Sequence, residues 1–301
     1  MDDRQPRNML INMSDQTQND SHDVEEIVVT STALLSGAAC IFVIIIYAMV
    51  HRLREPYEKL IFFLGISDLL YSSCKSYLAF IMRLFFDPDS NPGWCVVQGS
   101  LQQYGFNVST LIIFFIALLL YRCVNSNSSD INFYFLPCIL ISLILPGFVT
   151  MWFIANGAVQ NAGLWCFVRM DLYYWQVTLL IHGLYGVPMI ATLVLNIKTK
   201  LSIKNSTDKN LKKTYNKIKW FPLLQLCFVP IIGLRQLDHY FPTLFEGDLL
   251  FALLLISGAF ACSNGLLNGI AYAWNRATRE RIFSYFKGNQ QIELKEALVS
   301  K

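Results

Sequence analysis

Charged residues are scarce in this chain of 301 residues: Asp, Glu, Lys and Arg make up 15% of it, whereas hydrophobic residues make up 54%. Soluble domains carry about 25% charged residues. The shortage of charge, together with a mean hydropathy of +0.42, excludes an ordinary soluble domain. It favours a protein that crosses a membrane several times.

Catalytic signatures are also lacking. The sequence has no His-Glu-x-x-His zinc motif, no pair of membrane aspartates, no Gly-x-Ser-x-Gly elbow and no phosphate-binding loop. We therefore predict that the protein is not an enzyme and that it carries no cofactor and no metal. No internal repeat is visible by eye, which weakens a transporter interpretation.

Seven long apolar stretches determine the predicted fold class. A membrane-spanning helix needs roughly 20 apolar residues, and a backbone in lipid must satisfy its own hydrogen bonds, so stretches of this length form helices rather than barrel strands. We predict an all-α membrane protein, a bundle of seven transmembrane helices called spans one to seven below. The stretches cover residues 27–50, 60–82, 95–121, 131–154, 172–195, 218–237 and 248–274.

The positive charges indicate the orientation of this bundle. Of the 24 Lys and Arg residues, 18 fall on one side, in the segments 51–59, 122–130, 196–219 and 275–301. The positive-inside rule places that side in the cytosol. The amino terminus is therefore predicted to lie outside, and we expect a multi-pass protein of the plasma membrane. Its predicted parts are an extracellular polar tail (1–26), the bundle (27–274), a juxtamembrane helix (275–287) and a disordered cytoplasmic tail (288–301).

The predicted outer tail carries two Asn-x-Ser sequons, at Asn12 and Asn19. Glycosylation requires an acceptor on the outer side of the membrane, so both are candidate sites. Because three-residue patterns often arise by chance, this interpretation rests on their location alone.

Two of the eight cysteines fall on the predicted outer side. Cys95 opens span three and Cys166 lies in the loop before span five, and each directly follows a Trp. The outer compartment is oxidising. We therefore predict a disulfide between them, which would hold the second outer loop across the mouth of the bundle. Two free thiols are the alternative.

The inner face is basic. The loop 196–219 holds eight lysines and one acid, and an anchor to anionic lipid accounts for most of this charge. The functional alternative, which can hold at the same time, is a docking surface for a cytosolic partner. Its candidate residues are Arg122, Lys212, Lys213 and Lys217. After span seven, Ile282, Phe283 and Phe286 lie largely apart from the basic residues, as in a short amphipathic helix on the inner leaflet.

Ionisable side chains inside a membrane are expensive, so each is a candidate for a role in the bundle interior. Asn264 and Asn268 lie one turn apart on span seven and could hydrogen-bond Asp68 of span two across the bundle. That cluster could be structural glue or an ion-coupled switch. The ionisable residues within the spans are Asp68, Lys75, Arg83, His182 and Arg235.

Small residues and prolines indicate where helices approach closely or bend. A ladder of small residues on span seven permits close contact with another helix, and prolines in spans four to six break backbone hydrogen bonds, so kinks there can serve as hinges. The ladder is Ala261, Gly265 and Gly269, and the prolines are Pro146, Pro188 and Pro230.

A candidate ligand site lies toward the outer half of the bundle, at Lys75, Tyr104, His182 and Arg235. Cations that are removed from water attract anionic groups, since Coulomb attraction strengthens as the effective dielectric falls. The alternative is that Arg235 pairs with Asp238 or Glu246 and that Lys75 pairs with a backbone carbonyl.

Four segments are similar to motifs of the cyclic-AMP-receptor-like group of G-protein-coupled receptors, to which the slime-mould cAMP receptors belong. The resemblance covers roughly residues 27–287, and it implies a seven-helix receptor that couples to a heterotrimeric G protein. The segments are Gly93-Trp-Cys-Val-Val-Gln-Gly-Ser100, Gly163-Leu-Trp-Cys-Phe-Val168, Ile232-Gly-Leu-Arg235 and Arg276-Ala-Thr-Arg-Glu-Arg-Ile-Phe-Ser284.

Parts of the rhodopsin-like pattern are present as well. Leu64-Gly-Ile-Ser-Asp-Leu-Leu70 resembles the acid motif of helix two in that class. Cys227-Phe-Val-Pro230 resembles its Cys-Trp-x-Pro motif, and Asn268-Gly-Ile-Ala-Tyr272 has the spacing of its Asn-Pro-x-x-Tyr motif, whereas no acid precedes Arg122. The resemblance implies a ligand-biased rearrangement of spans five to seven. The switch cluster that we predict is Asp68, Asn264, Asn268, Tyr272, Phe228 and Pro230.

The leading prediction is a receptor that transmits the binding of an extracellular ligand, with an anionic small molecule as one candidate, to a heterotrimeric G protein. The lipid bilayer is its other partner, and no nucleic-acid partner is predicted. The alternatives are a small-solute or ion transporter and a non-signalling seven-helix scaffold. Transport would need a path of polar groups through the midplane, and the sequence offers mainly Asp68, Lys75 and the amides of span seven.

Overall fold

The computed structural model describes most of the predicted bundle. For residues 5–23, and at some further positions, it describes the backbone and not the side chain. The described residues are 5–49, 56–78, 92–126, 131–161, 166–168, 180, 182–205, 212, 215–216, 219–226, 247–274, 279–280, 282–285 and 287.

This part of the chain is helical apart from one short hairpin in the outer loop. A π-helical turn, Cys74–Leu78, continues helix α2, and a second one, His182–Gly186, precedes helix α5. The α-helices are α1 (Gln5–Met49), α2 (Pro56–Ser73), α3 (Pro92–Ser126), α4 (Ile131–Ala155), α5 (Val187–Asn205), α6 (Trp220–Leu226), α7 (Gly247–Cys262) and α8 (Asn264–Trp274).

Three helices in the described part are long and apolar enough to cross a membrane: Glu26–Met49, Pro92–Asn125 and Phe133–Ala155. They coincide with predicted spans one, three and four. The helices described within the other predicted spans are shorter, and the seven-span bundle stays a prediction. Helix α1 begins at Gln5, so the segment that we predicted as a polar tail is itself helical over most of its length.

Helix α3 is central to the packing. It contacts α2, α4 and α5, while α1 packs against α2, α7 and α8. Gly105 allows α2 and α3 to come close, because a Cβ atom there would lie 3.0 Å from the carbonyl oxygen of Ser67 and 3.0 Å from the backbone nitrogen of Tyr71. The shared core includes Leu64 of α2 and Ile112 of α3.

The small-residue ladder of span seven lies against helix α1. A Cβ atom on Gly265 would come within 2.6 Å of Ser36 Oγ, and one on Gly269 within 2.9 Å of the Ala39 Cβ. Glycine at these two positions therefore lets the two helices approach at their backbones. The sequence predicted a close contact but did not indicate which helix makes it.

Span seven is interrupted at Ser263, where it contains no proline. Helix α7 ends at Cys262 and α8 begins at Asn264. The Ser263 hydroxyl donates to the Phe260 carbonyl at 2.8 Å, and the backbone N–H of Leu266 donates to Ser36 Oγ of α1 at 3.2 Å. Side-chain hydroxyls thus take part in backbone bonding at this break. Helix α4, by contrast, continues through Pro137 and Pro146.

The segment between α4 and α5, which we predicted to be an outer loop, contains an antiparallel β-hairpin that the all-α prediction did not include. Strand β1 (Val159–Asn161) pairs with β2 (Cys166–Val168), so that Val159 faces Val168 and Asn161 faces Cys166. An isolated hairpin is marginal in water. This one is supported because Val159, Cys166 and Val168 are buried in a cluster with residues of α3 and α4.

Candidate functional site

Asp68 is the centre of a buried polar cluster that joins three helices. Its Oδ1 accepts hydrogen bonds from Ser109 Oγ of α3 at 2.6 Å and from Asn264 Nδ2 of α8 at 2.9 Å. Its Oδ2 accepts one from Asn268 Nδ2 of α8 at 2.8 Å. Asp68 is only 1% exposed, and the three side chains that donate to it are neutral.

The contact between Asp68 and the two amides is the one that the sequence predicted, and it requires α2 and α8 to be neighbours, as they are. Ser109 was missed. A single serine is common in an apolar helix, whereas an ionisable group or a pair of amides within a span is not. Its signal was the polar run Asn107, Ser109 and Thr110 in the middle of span three.

A small cavity borders the Asp68 cluster on the side of α1. Cys40 of α1 and Leu64 of α2 line it, together with Asp68, Gly265, Asn268 and Gly269. The break in span seven, at Ser263, directly precedes Asn264. The cluster therefore lies where α8 begins, with a small space beside it, and a shift of α8 would have to stretch or break the hydrogen bonds to Asp68.

The remaining residues of the predicted switch cluster are only partly described. Tyr272 is buried in the main apolar core, next to residues of α1, α2 and α3. Phe228 and Pro230 lie outside the described residues. Their role in a switch stays a prediction.

The first turn of α3 and the start of β2 are joined by a disulfide between Cys95 and Cys166, whose Cα atoms are 5.3 Å apart. Beside it, Gln98 Oε1 accepts a hydrogen bond from the backbone N–H of Cys166 at 3.1 Å, and Gln98 Nε2 donates to the carbonyl of Cys74 at 2.9 Å. Gln98 therefore links the hairpin to the π-helical turn of α2. A π-helical turn leaves a backbone carbonyl without its usual helical partner, which is the type of group that Gln98 satisfies here.

Gly99 lets the hairpin lie directly on α3. A Cβ atom at this position would lie 2.6 Å from a methyl carbon of Val159 and 3.1 Å from the backbone of Cys166. Because Gly99 follows Gln98 in the sequence, one turn of α3 provides both the hydrogen bond and the space that the hairpin needs.

The predicted ligand-binding residues have different surroundings. Lys75 lies in the π-helical turn, 5% exposed, with its Nζ 5.4 Å from the centroid of the Tyr71 ring. Tyr104 lies against α4, where its hydroxyl donates to the Leu143 carbonyl at 3.3 Å. The π-helical turn before α5 begins at His182, whose side chain is not described, and Arg235 lies outside the described residues.

Near the end of α3, on the side predicted to be cytosolic, the cationic side chain of Arg122 packs on an aromatic ring. The guanidinium carbon of Arg122 lies 4.5 Å from the centroid of the Tyr134 ring of α4. Arg122 is exposed, whereas its neighbours Leu120 and Val124 are buried in the apolar core. Lys212 is helical and exposed, while Lys213 and Lys217 lie outside the described residues. Asn12 and Asn19 fall on the described backbone of α1, and their glycosylation stays a prediction.

No protein-family model matches the chain. Over 185 residues the chain is 26% identical to cyclic AMP receptor-like protein G of Dictyostelium discoideum, and the match covers 60% of this chain and 33% of that protein. The chain thus spans about a third of the length of this relative. The match supports a distant relationship to cAMP-receptor-like receptors and, with the apolar helices, a membrane protein of receptor type.

Proposed function

We propose that the chain is a G-protein-coupled receptor of the cyclic-AMP-receptor-like group, with seven spans in the plasma membrane and its amino terminus outside. The observation that carries the proposal is the shared carboxyl group of Asp68, which holds α2, α3 and α8 together through neutral donors. Ionisable groups are retained inside a membrane mainly for function. The distant relative with a receptor-type name gives independent support.

The mechanism that we propose uses the Asp68 cluster as a switch. Asn264 and Asn268 both lie on α8, so a displacement of α8 changes two hydrogen bonds to the same carboxyl group at once. The break at Ser263 separates α8 from α7 and gives the displacement a place to begin. A ligand outside the membrane would then shift an equilibrium between two arrangements of α8. It can do so only by as much as its affinities for the two arrangements differ.

The ligand that we propose is an anionic small molecule, and Lys75 is the described residue that would bind it. An ammonium group that is removed from water interacts more strongly with an anion than an exposed one does. Cyclic AMP, which occurs in the name of the relative, is the first compound to test. Arg235, His182 and Tyr104 complete the proposed set of ligand-binding residues.

The cytosolic partner that we propose is a heterotrimeric G protein, which would dock on the basic inner loop and the inner end of α3. Lys212, Lys213 and Lys217 supply positive charge there. Arg122 would contribute through its exposed position over Tyr134, since it is not part of the buried inner core.

The test is a panel of G-protein dissociation assays on the full chain in intact cells, first without ligand and then with cyclic AMP and other small anions. We expect basal or ligand-dependent dissociation of at least one G protein. The matched control is the variant Asp68→Ala, brought to equal surface expression, in which we expect the signal to change. If the wild-type chain reaches the surface and dissociates no G protein under any condition, receptor function is contradicted, and solute flux in the same cells then tests the transporter alternative.

A further inference from the structure

The outer half of α3 holds three buried amide side chains that the protein satisfies only in part. Gln103 Nε2 donates to Asn107 Oδ1 at 3.2 Å. Among the described residues, Gln103 Oε1 and Asn107 Nδ2 then have no hydrogen-bond partner, and neither does Gln102 Oε1. If the oxygen and nitrogen atoms of both amide groups are exchanged, Gln103 and Asn107 still form one hydrogen bond with each other. One donor and one acceptor of the pair then still lack partners.

The π-helical turn before α5 contributes a fourth buried polar atom, the hydroxyl of Tyr185. The ring of Tyr185 stacks on that of Phe106, with centroids 5.0 Å apart and an angle of 28° between the planes. Phe106 directly precedes Asn107 and lies one turn after Gln102, so the stack places Tyr185 at this part of α3. The Tyr185 side chain is buried, and its hydroxyl has no hydrogen-bond partner in the part of the chain that the structure describes.

Buried polar atoms of this kind require an explanation, because each one that stays unpaired costs roughly 1–3 kcal/mol, and lipid offers no alternative partner. The Asp68 cluster shows that this chain can satisfy a buried polar group completely. The four atoms include one acceptor and one donor from the Gln103–Asn107 pair. The other two are an acceptor on Gln102 and the hydroxyl of Tyr185. All four belong to neutral side chains.

We propose that Gln102, Gln103, Asn107 and Tyr185 form a binding site for an uncharged hydrogen-bonding guest. The guest is either ordered water or the hydroxyl or amide group of a small molecule. Both need two or more polar partners in a buried site, and the four side chains supply donors and acceptors together. None of the four side chains carries a charge, so hydrogen bonding is the interaction that they offer to a guest. The inference does not depend on the proposed receptor function, since stability and mass test it and signalling does not.

The first experiment compares two Tyr→Phe variants of the purified full chain in lipid nanodiscs, without added ligand. Tyr104→Phe removes a hydroxyl that donates to the Leu143 carbonyl, and it measures the value of one such bond in this bundle. Tyr185→Phe removes a hydroxyl that has no partner among the residues described by the structure. If the site is occupied, both variants lower Tm by a similar amount, about 2–4 °C. An unchanged or higher Tm for Tyr185→Phe overturns the proposal, because removing an unpaired buried hydroxyl is then neutral or favourable.

A double-mutant cycle tests whether Asn107 and Tyr185 hold the same guest. The variants are Asn107→Leu, Tyr185→Phe and the pair. The two residues share no hydrogen bond, so a loss of Tm in the double variant that is smaller than the sum of the single losses indicates a shared guest. Additive losses contradict a shared site. Native mass spectrometry distinguishes the two kinds of guest. An added small-molecule mass indicates a bound compound, and its absence indicates water. Either result supports the site when the cycle shows coupling.

Discussion

Gln98 and Cys166 are joined by a hydrogen bond of 3.1 Å from the backbone N–H of Cys166 to Gln98 Oε1. The other end of the same amide donates to the Cys74 carbonyl of the π-helical turn at 2.9 Å. One side chain of α3 therefore connects the outer hairpin to the turn of α2 that carries Lys75. The amide group of Gln98 is buried.

We predict that Gln98→Leu destabilises the protein by about 2 kcal/mol or more, because two buried backbone groups lose their partner at once. Thermal unfolding in nanodiscs measures the effect. Gln160→Ala, an exposed residue on β1 of the same hairpin, is the control and should leave Tm unchanged. A Tm for Gln98→Leu equal to that of the control would show that the link contributes nothing.

The disulfide between Cys95 and Cys166 should be present in the mature protein. Mass spectrometry of non-reduced peptides is expected to find the cross-link, and alkylation of both thiols without reduction would contradict it. Because the bond closes a sequence separation of 71 residues, the chain-entropy estimate for its loss is about 4 kcal/mol. Cys166→Ser should therefore lower Tm strongly, whereas Cys123→Ser, at the inner end of α3, should change it little.

Ser109→Ala should be more damaging than another buried serine substitution. The Ser109 hydroxyl donates to the buried carboxyl group of Asp68, and leaving a buried polar group without a partner costs about 1–3 kcal/mol. Ser142 is equally buried, but its hydroxyl donates to the Cys138 carbonyl of its own helix. We expect a clear fall in Tm, and altered basal signalling, for Ser109→Ala only. Equal effects of the two variants would indicate that the Asp68 cluster is ordinary packing.

The part of the Asp68 cluster that could be predicted from the sequence consists of residues that are energetically expensive to place inside a membrane span. A carboxyl group in an apolar span needs hydrogen-bond donors, and two amides one turn apart on another span can supply them. Asp68, Asn264 and Asn268 could therefore be predicted to lie together. Ser109 and Gln98 could not be identified in that way, because a neutral polar residue in a helix bonds its own backbone at little cost. The break at Ser263 and the hairpin depend on packing against other helices, for which no local pattern exists.

Gly265→Ala should disturb the contact between α1 and α8. The added methyl group would lie 2.6 Å from Ser36 Oγ and 3.1 Å from the Ser36 carbonyl oxygen. Overpacking of this kind typically costs about 1–3 kcal/mol. The control is Gly93→Ala at the exposed start of α3, where an added methyl group meets no atom within 4 Å. Surface expression and Tm should be lower for Gly265→Ala than for Gly93→Ala. Equal values would contradict a close backbone contact between α1 and α8.

Lys75→Met tests the proposed ligand site with little change in side-chain volume. If an anionic ligand pairs with the Lys75 ammonium group, the loss of a charged hydrogen bond of about 1.5–3 kcal/mol weakens binding roughly 10- to 100-fold. Arg235→Ala should act in the same direction.

The control is Lys59→Met. Lys59 also lies on α2, and its Nζ also packs over an aromatic ring, 5.6 Å from the centroid of Phe135. Because Lys59 is at the inner end of the helix, its substitution should leave ligand affinity unchanged. Binding is measured with cyclic AMP, or with whichever anion the dissociation panel identifies, on cells matched for surface expression. Normal binding by both Lys75→Met and Arg235→Ala at normal expression would exclude the cationic pocket. Lys75 would then be a buried cation whose role is to hold the π-helical turn against Tyr71.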